Sequence, residues 1–128
     1  MKWPEYFPED CPPEDAEATT RTLFRFADKF PLGERDRKSK REINPDKEPF
    51  GDKELECKAC GLSLFSDLEA MREMMKRVKG FRQSRIIRCH ITENDGLLKE
   101  TPGMQNKSHC TLWIFPGVSF GDSCELVE

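Results

Sequence analysis

The chain has no apolar run approaching the roughly 20 consecutive residues that a membrane-spanning helix requires, which excludes a helical membrane protein. Its first residues, Met1-Lys2-Trp3-Pro4-Glu5, lead into further acids, and the basic start, apolar middle and small-residue cleavage site of a secretory signal are missing. A cytoplasmic location is therefore the expectation. No GxxxxGK or GxGxxG loop occurs, so nucleoside triphosphate chemistry of the familiar kinds is disfavoured. A Gly-x-Ser-x-Gly elbow is absent too, because Gly61-Leu62-Ser63-Leu64-Phe65 lacks the second glycine, and hydrolase chemistry of that type has little support. No internal repeat is visible, which excludes solenoids and propellers.

What is present is one domain's worth of chain. The 128 residues can bury roughly two-thirds of their unfolded surface in a single core, so residues 1–128 are expected to form one domain. The apolar and charged fractions are nearly equal, 36% and 35%, and nine Phe and two Trp remain to build around, so full disorder is not expected. Mean hydropathy is -0.74. A net charge of -3 argues against a dedicated nucleic-acid binder, whose footprint is usually basic. The charge is nonetheless segregated. Six acids and no base lie between Glu5 and Glu17, whereas seven bases and one acid lie between Arg72 and Arg88. That basic stretch could face phosphates, meet the acidic amino terminus, or simply be solvated.

Pro4, Pro8, Pro12 and Pro13 forbid a regular helix or interior strand over residues 1–20, which reads as an extended acidic arm whose Trp3, Tyr6 and Phe7 pack on something. Thr22-Leu23-Phe24-Arg25-Phe26-Ala27 fits a buried strand with Arg25 opposite to the two phenylalanines. Residues 28–56 read as a charged loop, with a helical turn or short extended piece around Ile43 and Phe50 as an anchor. Gly61 to Phe65 is a second strand, with Leu62 and Leu64 on one side and Ser63 and Phe65 on the other. The spacing then predicts the one main helix over residues 66–79, capped by Ser66 with Glu69 three positions on, striped by Leu68, Met71, Met75 and Val78, and stopped at Gly80. Further strands are expected at Arg85 to Ile91, at Leu97 and Leu98 after the Asn94-Asp95-Gly96 turn, at Cys110 to Phe115, and as an edge in the tail. The fold class is α+β, with a small, strongly bent and mostly antiparallel sheet.

Six cysteines without an export signal are expected to be reduced. Cys57-Lys58-Ala59-Cys60-Gly61 matches a zinc-knuckle half-site, with Cys89 and His90, or His109 and Cys110, as the candidates for the remaining ligands. At most one residue of each adjacent pair could face a common ion, since neighbours in a strand point opposite ways. A thioredoxin-like role for the same motif is disfavoured, because a strand rather than a helix follows it.

An arginine-bearing strand, a variable charged loop, then Gly61-Leu62-Ser63-Leu64-Phe65-Ser66-Asp67 and a helix carrying Glu69-Ala70 stand in an order that resembles the ADP-ribosyltransferase-like fold over residues 22–90. The resemblance implies that NAD or a related nucleotide binds, with Arg25 on the dinucleotide phosphate or ribose and Ser63 with Phe65 at the nicotinamide end. It implies a toxin or modifying enzyme in which nicotinamide leaves through an oxocarbenium-like state stabilised by a carboxylate. The family's late Glu-x-Glu is absent here, and Glu125 is the acid that would take its place alongside Arg25 and Ser63. Two other readings compete: a noncatalytic module docking a protein partner through residues 1–20, and a zinc-stabilised adaptor.

Overall fold

Alternation along the strands sorts the apolar residues onto two faces of one sheet. The computed structural model describes residues 2–128 and contains six strands: β1 (Arg21–Ala27), β2 (Leu62–Phe65), β3 (Arg85–Ile91), β4 (Gly96–Glu100), β5 (His109–Ile114) and β6 (Glu125–Leu126). Their order is β4-β5-β2-β1-β3-β6, and every pairing is antiparallel. Among the described residues the helices are α1 (Lys40–Ile43), α2 (Lys53–Ala59) and α3 (Leu68–Arg77), with single 3-10 turns at Arg35–Arg37 and Lys79–Phe81. The fold is thus α+β, as the sequence predicts.

One face of the sheet carries Leu23, Leu62, Leu64, Ile87, Cys89, Leu98, Cys110 and Leu112, all buried in one cluster with Phe120. The other face is divided. Phe24, Phe26, Phe65 and Ile86 meet Met71 and Met74 of α3, while Trp113 meets Ala16, Cys57 and Cys60. Phe26 stacks on Phe81 with ring centroids 4.4 Å apart. No regular element forms over residues 2–20, where the contacts to the sheet are side-chain packing and an isolated bridge from Glu17 to Leu98. Trp3 stacks on Phe7 at 5.6 Å and lies 5.8 Å from Phe115, so the arm's aromatics pack on its own chain.

Several expectations are corrected in detail. The cap of α3 is Asp67, whose carboxylate accepts from the Ala70 backbone N–H, so Ser66 lies outside the helix. The helix ends at Arg77 rather than at Lys79, because Val78 is already extended (φ -103°, ψ 111°). Met74, not Val78, completes the buried stripe with Met71. The expected loop over residues 28–56 contains the 3-10 turn, α1 and the start of α2. A capping box explains α1: the Ser39 hydroxyl accepts from Glu42 N–H, and the Glu42 carboxylate accepts from Ser39 N–H.

The basic stretch does not meet the acidic amino terminus. Arg72 pairs with Glu69 and Glu128, Lys76 with Glu73, Arg88 with Glu125, and Arg77 donates to the Gln105 carbonyl at 2.6 Å. The amino-terminal acids Glu9 and Asp15 pair instead with Lys53 and Lys99.

Candidate functional site

β1 and β2 pair at one position, Phe24 with Phe65, whereas β1 and β3 stay in register over all seven residues of β1. Past Phe24 the first two strands therefore lack ladder bonds, and the Ser63 carbonyl of β2 takes another donor. Arg25 supplies it. Its Nη1–H donates to the Ser63 carbonyl at 2.8 Å, Nε–H to the Asp36 carbonyl at 3.2 Å and Nη2–H to the Lys38 carbonyl at 3.3 Å. A guanidinium has five donors in a fixed fork, so two N–H groups remain without a partner among the described residues. Burial pulls this guanidinium below its ordinary pKa, but an arginine stays charged throughout the working range. Asp36, also buried, fixes the loop that brings those carbonyls up by accepting from Asp28 N–H at 2.6 Å and Gly33 N–H at 3.0 Å.

Arg25 and Ser63 line one cleft of about 460 Å³, bounded on the other side by Lys38, Lys40, Phe50, Lys58, Thr101 and His109. Its wall holds four permanent cations and no carboxylate. A neighbouring cleft of similar size shares Lys58 and Thr101, but there Glu9, Asp10, Glu54 and Glu100 offset Lys53, Lys58 and Lys99. Lys38 is compensated by Glu34 at 3.0 Å, and Lys40 lies over the Phe50 ring at 4.8 Å.

The outer wall is held in shape by Arg41, a residue on which sequence reasoning placed nothing. Its Nε–H and Nη2–H donate to the two oxygens of Glu56, both at 2.8 Å, and its Nη1 donates to the Asn44 and Lys47 carbonyls. The bidentate pair holds the Glu56 carboxyl below the usual carboxylate range. Glu56 in turn accepts from the Phe50 N–H at 3.0 Å, so α1, α2 and the segment between them are tied to one carboxylate.

At the floor of the cleft, Ser63 Oγ lies 2.9 Å from His109 Nε2. The β2–β5 register sets Phe65 opposite His109, and Ser63 one step along the same face. That diagonal is within reach of a histidine ring. On its far side His109 Nδ1 lies 3.0 Å from the Thr101 carbonyl and 2.8 Å from the Thr101 hydroxyl, and the ring packs edge-on to Phe65 at 5.2 Å. Burial holds the imidazole below its ordinary pKa, and the charge of Lys58 acts in the same direction.

The other candidates lie elsewhere. Phe65 is buried against α3 and belongs to the core, not to the cleft wall. Glu125 stands on β6, three places across the sheet from β2, which is about 14 Å at the usual strand spacing. There it accepts from, or shares a proton with, His90 Nε2 at 2.7 Å and pairs with Arg88. Thus Arg25 and Ser63 come together and Glu125 does not join them.

The zinc half-site does not survive folding. Cys57 is disulfide-bonded to Cys11, which overturns the expectation that all six cysteines are reduced and removes one of the two proposed thiolates. Cys57 and Ala59 lie in α2 and Cys60 caps it, so Cys-x-x-Cys is a helix end and not a knuckle turn. The Cys60 thiol is buried beside Glu56 and pushed up to about 12, which opposes the thiolate that zinc needs. His90 and His109 are engaged with Glu125 and Ser63 respectively, and no group of three potential metal ligands occurs among the described residues. These residues do not fit zinc.

The lysines of the cleft and the partnership of His109 with Ser63 were not foreseen from sequence. Lys58 is hidden inside a motif that reads as metal-binding. His109 reaches Ser63 only through a pairing between strands 46 residues apart. Comparison with protein-family models, with curated proteins and with solved structures finds no match to this chain.

Proposed function

We propose that the cleft over Arg25 and Ser63 binds a phosphate-bearing small molecule of the nucleotide class, NAD or a relative. The observation that carries this reading is the wall itself, with Arg25, Lys38, Lys40 and Lys58 around one concavity and no carboxylate among its lining residues. Opposed charge in a partly dry cleft is worth more than in open water, so such a wall favours an anion over a neutral ligand of the same shape. The two uncommitted N–H groups of Arg25 and the ammonium of Lys58 are the donors that would meet phosphate oxygens. Phe50 offers a ring at the rim against which a base could stack.

ADP-ribosyl transfer is the activity that the motif order implies, and it needs a carboxylate near the reacting ribose. Glu125 lies on the far edge of the sheet, so the binding half of that reading has structural support and the transfer half lacks its acid. The partner-docking alternative has less to rest on, since Trp3 and Phe7 pack internally and Tyr6 alone of the arm's aromatics is exposed. The bend of the sheet enters here as well. β3 and β4 lie four places apart in strand order yet are joined by residues 92–95, which form a turn closed by Asp95 N–H donating to the Thr92 carbonyl. A flat sheet would hold those strands about 19 Å apart, so the short link favours a strongly bent one.

Isothermal calorimetry with NAD, ADP-ribose and AMP tests the reading. Binding is expected for the nucleotides, weakened about tenfold or more in Lys58→Glu and falling with ionic strength. Equal heats from wild type and Lys58→Glu would overturn the assignment of this cleft.

A further inference from the structure

The hydrogen-bonding roles around His109 follow from one fixed acceptor. Nδ1 lies 3.0 Å from the Thr101 carbonyl, which can only accept, and 2.8 Å from the Thr101 hydroxyl, which can accept as well, so the tautomer with the ring proton on Nδ1 satisfies both contacts. In the neutral imidazole Nε2 then holds a lone pair, and the Ser63 hydroxyl 2.9 Å away must donate to it. That is the ground-state arrangement of an activated serine: nucleophile, base, and a third group that orients the base. The Thr101 hydroxyl, which lies 2.8 Å from Thr111 Oγ1, braces the same residue. Ser63 itself is exposed at the cleft floor, and the edge-on Phe65 ring limits how far the imidazole can turn.

We propose that Ser63 is a nucleophile and His109 its general base, acting on an acyl ester whose alcohol portion bears a phosphate. The phosphate rests on the anion-binding reading of the cleft; the Ser63–His109 chemistry does not. In the first step Ser63 Oγ attacks the acyl carbon, its proton passes to His109 Nε2, and the carbon–oxygen bond to the alcohol breaks as that alcohol takes the proton from Nε2. In the second step His109 takes a proton from water, the resulting hydroxide attacks the acyl carbon, and the Ser63 ester bond breaks as Oγ recovers the proton. The acid leaves and the resting pair is restored, with water the sole co-reactant. Positive charge from Lys58 and Arg25 on the same wall favours the oxyanion formed in each step.

Lys58 is the charged group that acts on His109 from the packed elements, and it acts with burial to keep the ring neutral. The rate should therefore hold through neutral pH and fall only as the medium drops below the ordinary histidine value of roughly 6.5.

The test uses p-nitrophenyl acetate, which carries no phosphate, followed by peptide mapping of the acetylated protein. Acetylation of Ser63 is expected, slowed on the order of a hundredfold or more in His109→Ala and absent in Ser63→Ala. Ser63→Ala removes an exposed hydroxyl and should leave the circular dichroism unchanged, so folding and chemistry separate. Unmodified Ser63, or acetylation equally fast in His109→Ala, would each overturn the proposal. Inhibition by AMP links this chemistry to the anion-binding cleft. Acetylation of Ser63 unaffected by AMP would keep the nucleophile and reject the phosphate-bearing substrate.

Discussion

Arg25 is the residue that ties β1, β2 and the following loop together, since one of its N–H groups reaches the Ser63 carbonyl of β2 and two others reach the Asp36 and Lys38 carbonyls of the loop. Arg25→Ala would leave those carbonyls without a donor, so loss of ligand in that variant mixes folding with binding, and Lys58 is the cleaner probe. Hydrogen bonding and burial decide the thiols. Cys124 and Cys89 lie 3.0 Å apart, and the hydrogen bond between them, with Arg25 and Arg37 nearby, holds the Cys124 thiol below its ordinary value. That same bond and burial push Cys89 up, and burial pushes Cys60 and Cys110 up. In a native protein at pH 8, iodoacetamide should therefore modify Cys124 first, because thiolate is the reactive form. Mass mapping that finds Cys60 or Cys110 modified ahead of Cys124 would refute this ordering.

Among the elements, α3 shows how local rules compete. Ser66 and Asp67 are adjacent cap formers, and the backbone chooses Asp67, whose carboxylate also favours the positive end of the helix. Asp67→Ala should cost about 1 kcal/mol in urea unfolding, and Ser66→Ala close to nothing; the reverse order would restore the Ser66 cap. The strands were legible from sequence because alternation at Leu23 to Phe26 and at Leu62 to Phe65 is a local signal. The extent of α3 was legible for the same reason, to within two residues at each end. Over residues 28–56 the helical turn at Ile43 and the anchoring Phe50 were legible, but the ordering of the segment was not, because its causes are distant: Asp36 binds backbone eight residues back, and Arg41 meets Glu56 across 15 positions. The cleft was half visible. Arg25 and Ser63 stand out as polar residues in apolar strands, whereas the β2–β5 register that delivers His109 and the arrangement of Lys38, Lys40 and Lys58 exist only after folding. Cys-x-x-Cys misled because its partner, Cys11, lies in a proline-rich segment with no local pairing signal.

For the molecule as a whole, the disulfide joins the irregular amino-terminal segment to α2 across 46 positions. Closing a loop of that length removes on the order of 4 kcal/mol of unfolded-state freedom by the chain-entropy estimate. Reduction with dithiothreitol should therefore lower unfolding stability by about 2–4 kcal/mol, and the Cys11→Ser, Cys57→Ser double variant should match the reduced protein. An unchanged urea midpoint after verified reduction would show that the arm does not depend on the bond. Trp113 Nε1–H donates to the Cys57 carbonyl at 2.8 Å, so loosening the arm exposes the Trp113 cluster, which tryptophan fluorescence reports directly.

The central claim is that the cations around Ser63 form a site for phosphate. Parallel calorimetric titrations of the native protein with AMP and with adenosine at low salt test it most directly, because the two ligands differ by the phosphate alone. Saturable binding of AMP with adenosine at least tenfold weaker is the predicted result. Equal affinity for both, or no heat from AMP up to millimolar concentration, would contradict it.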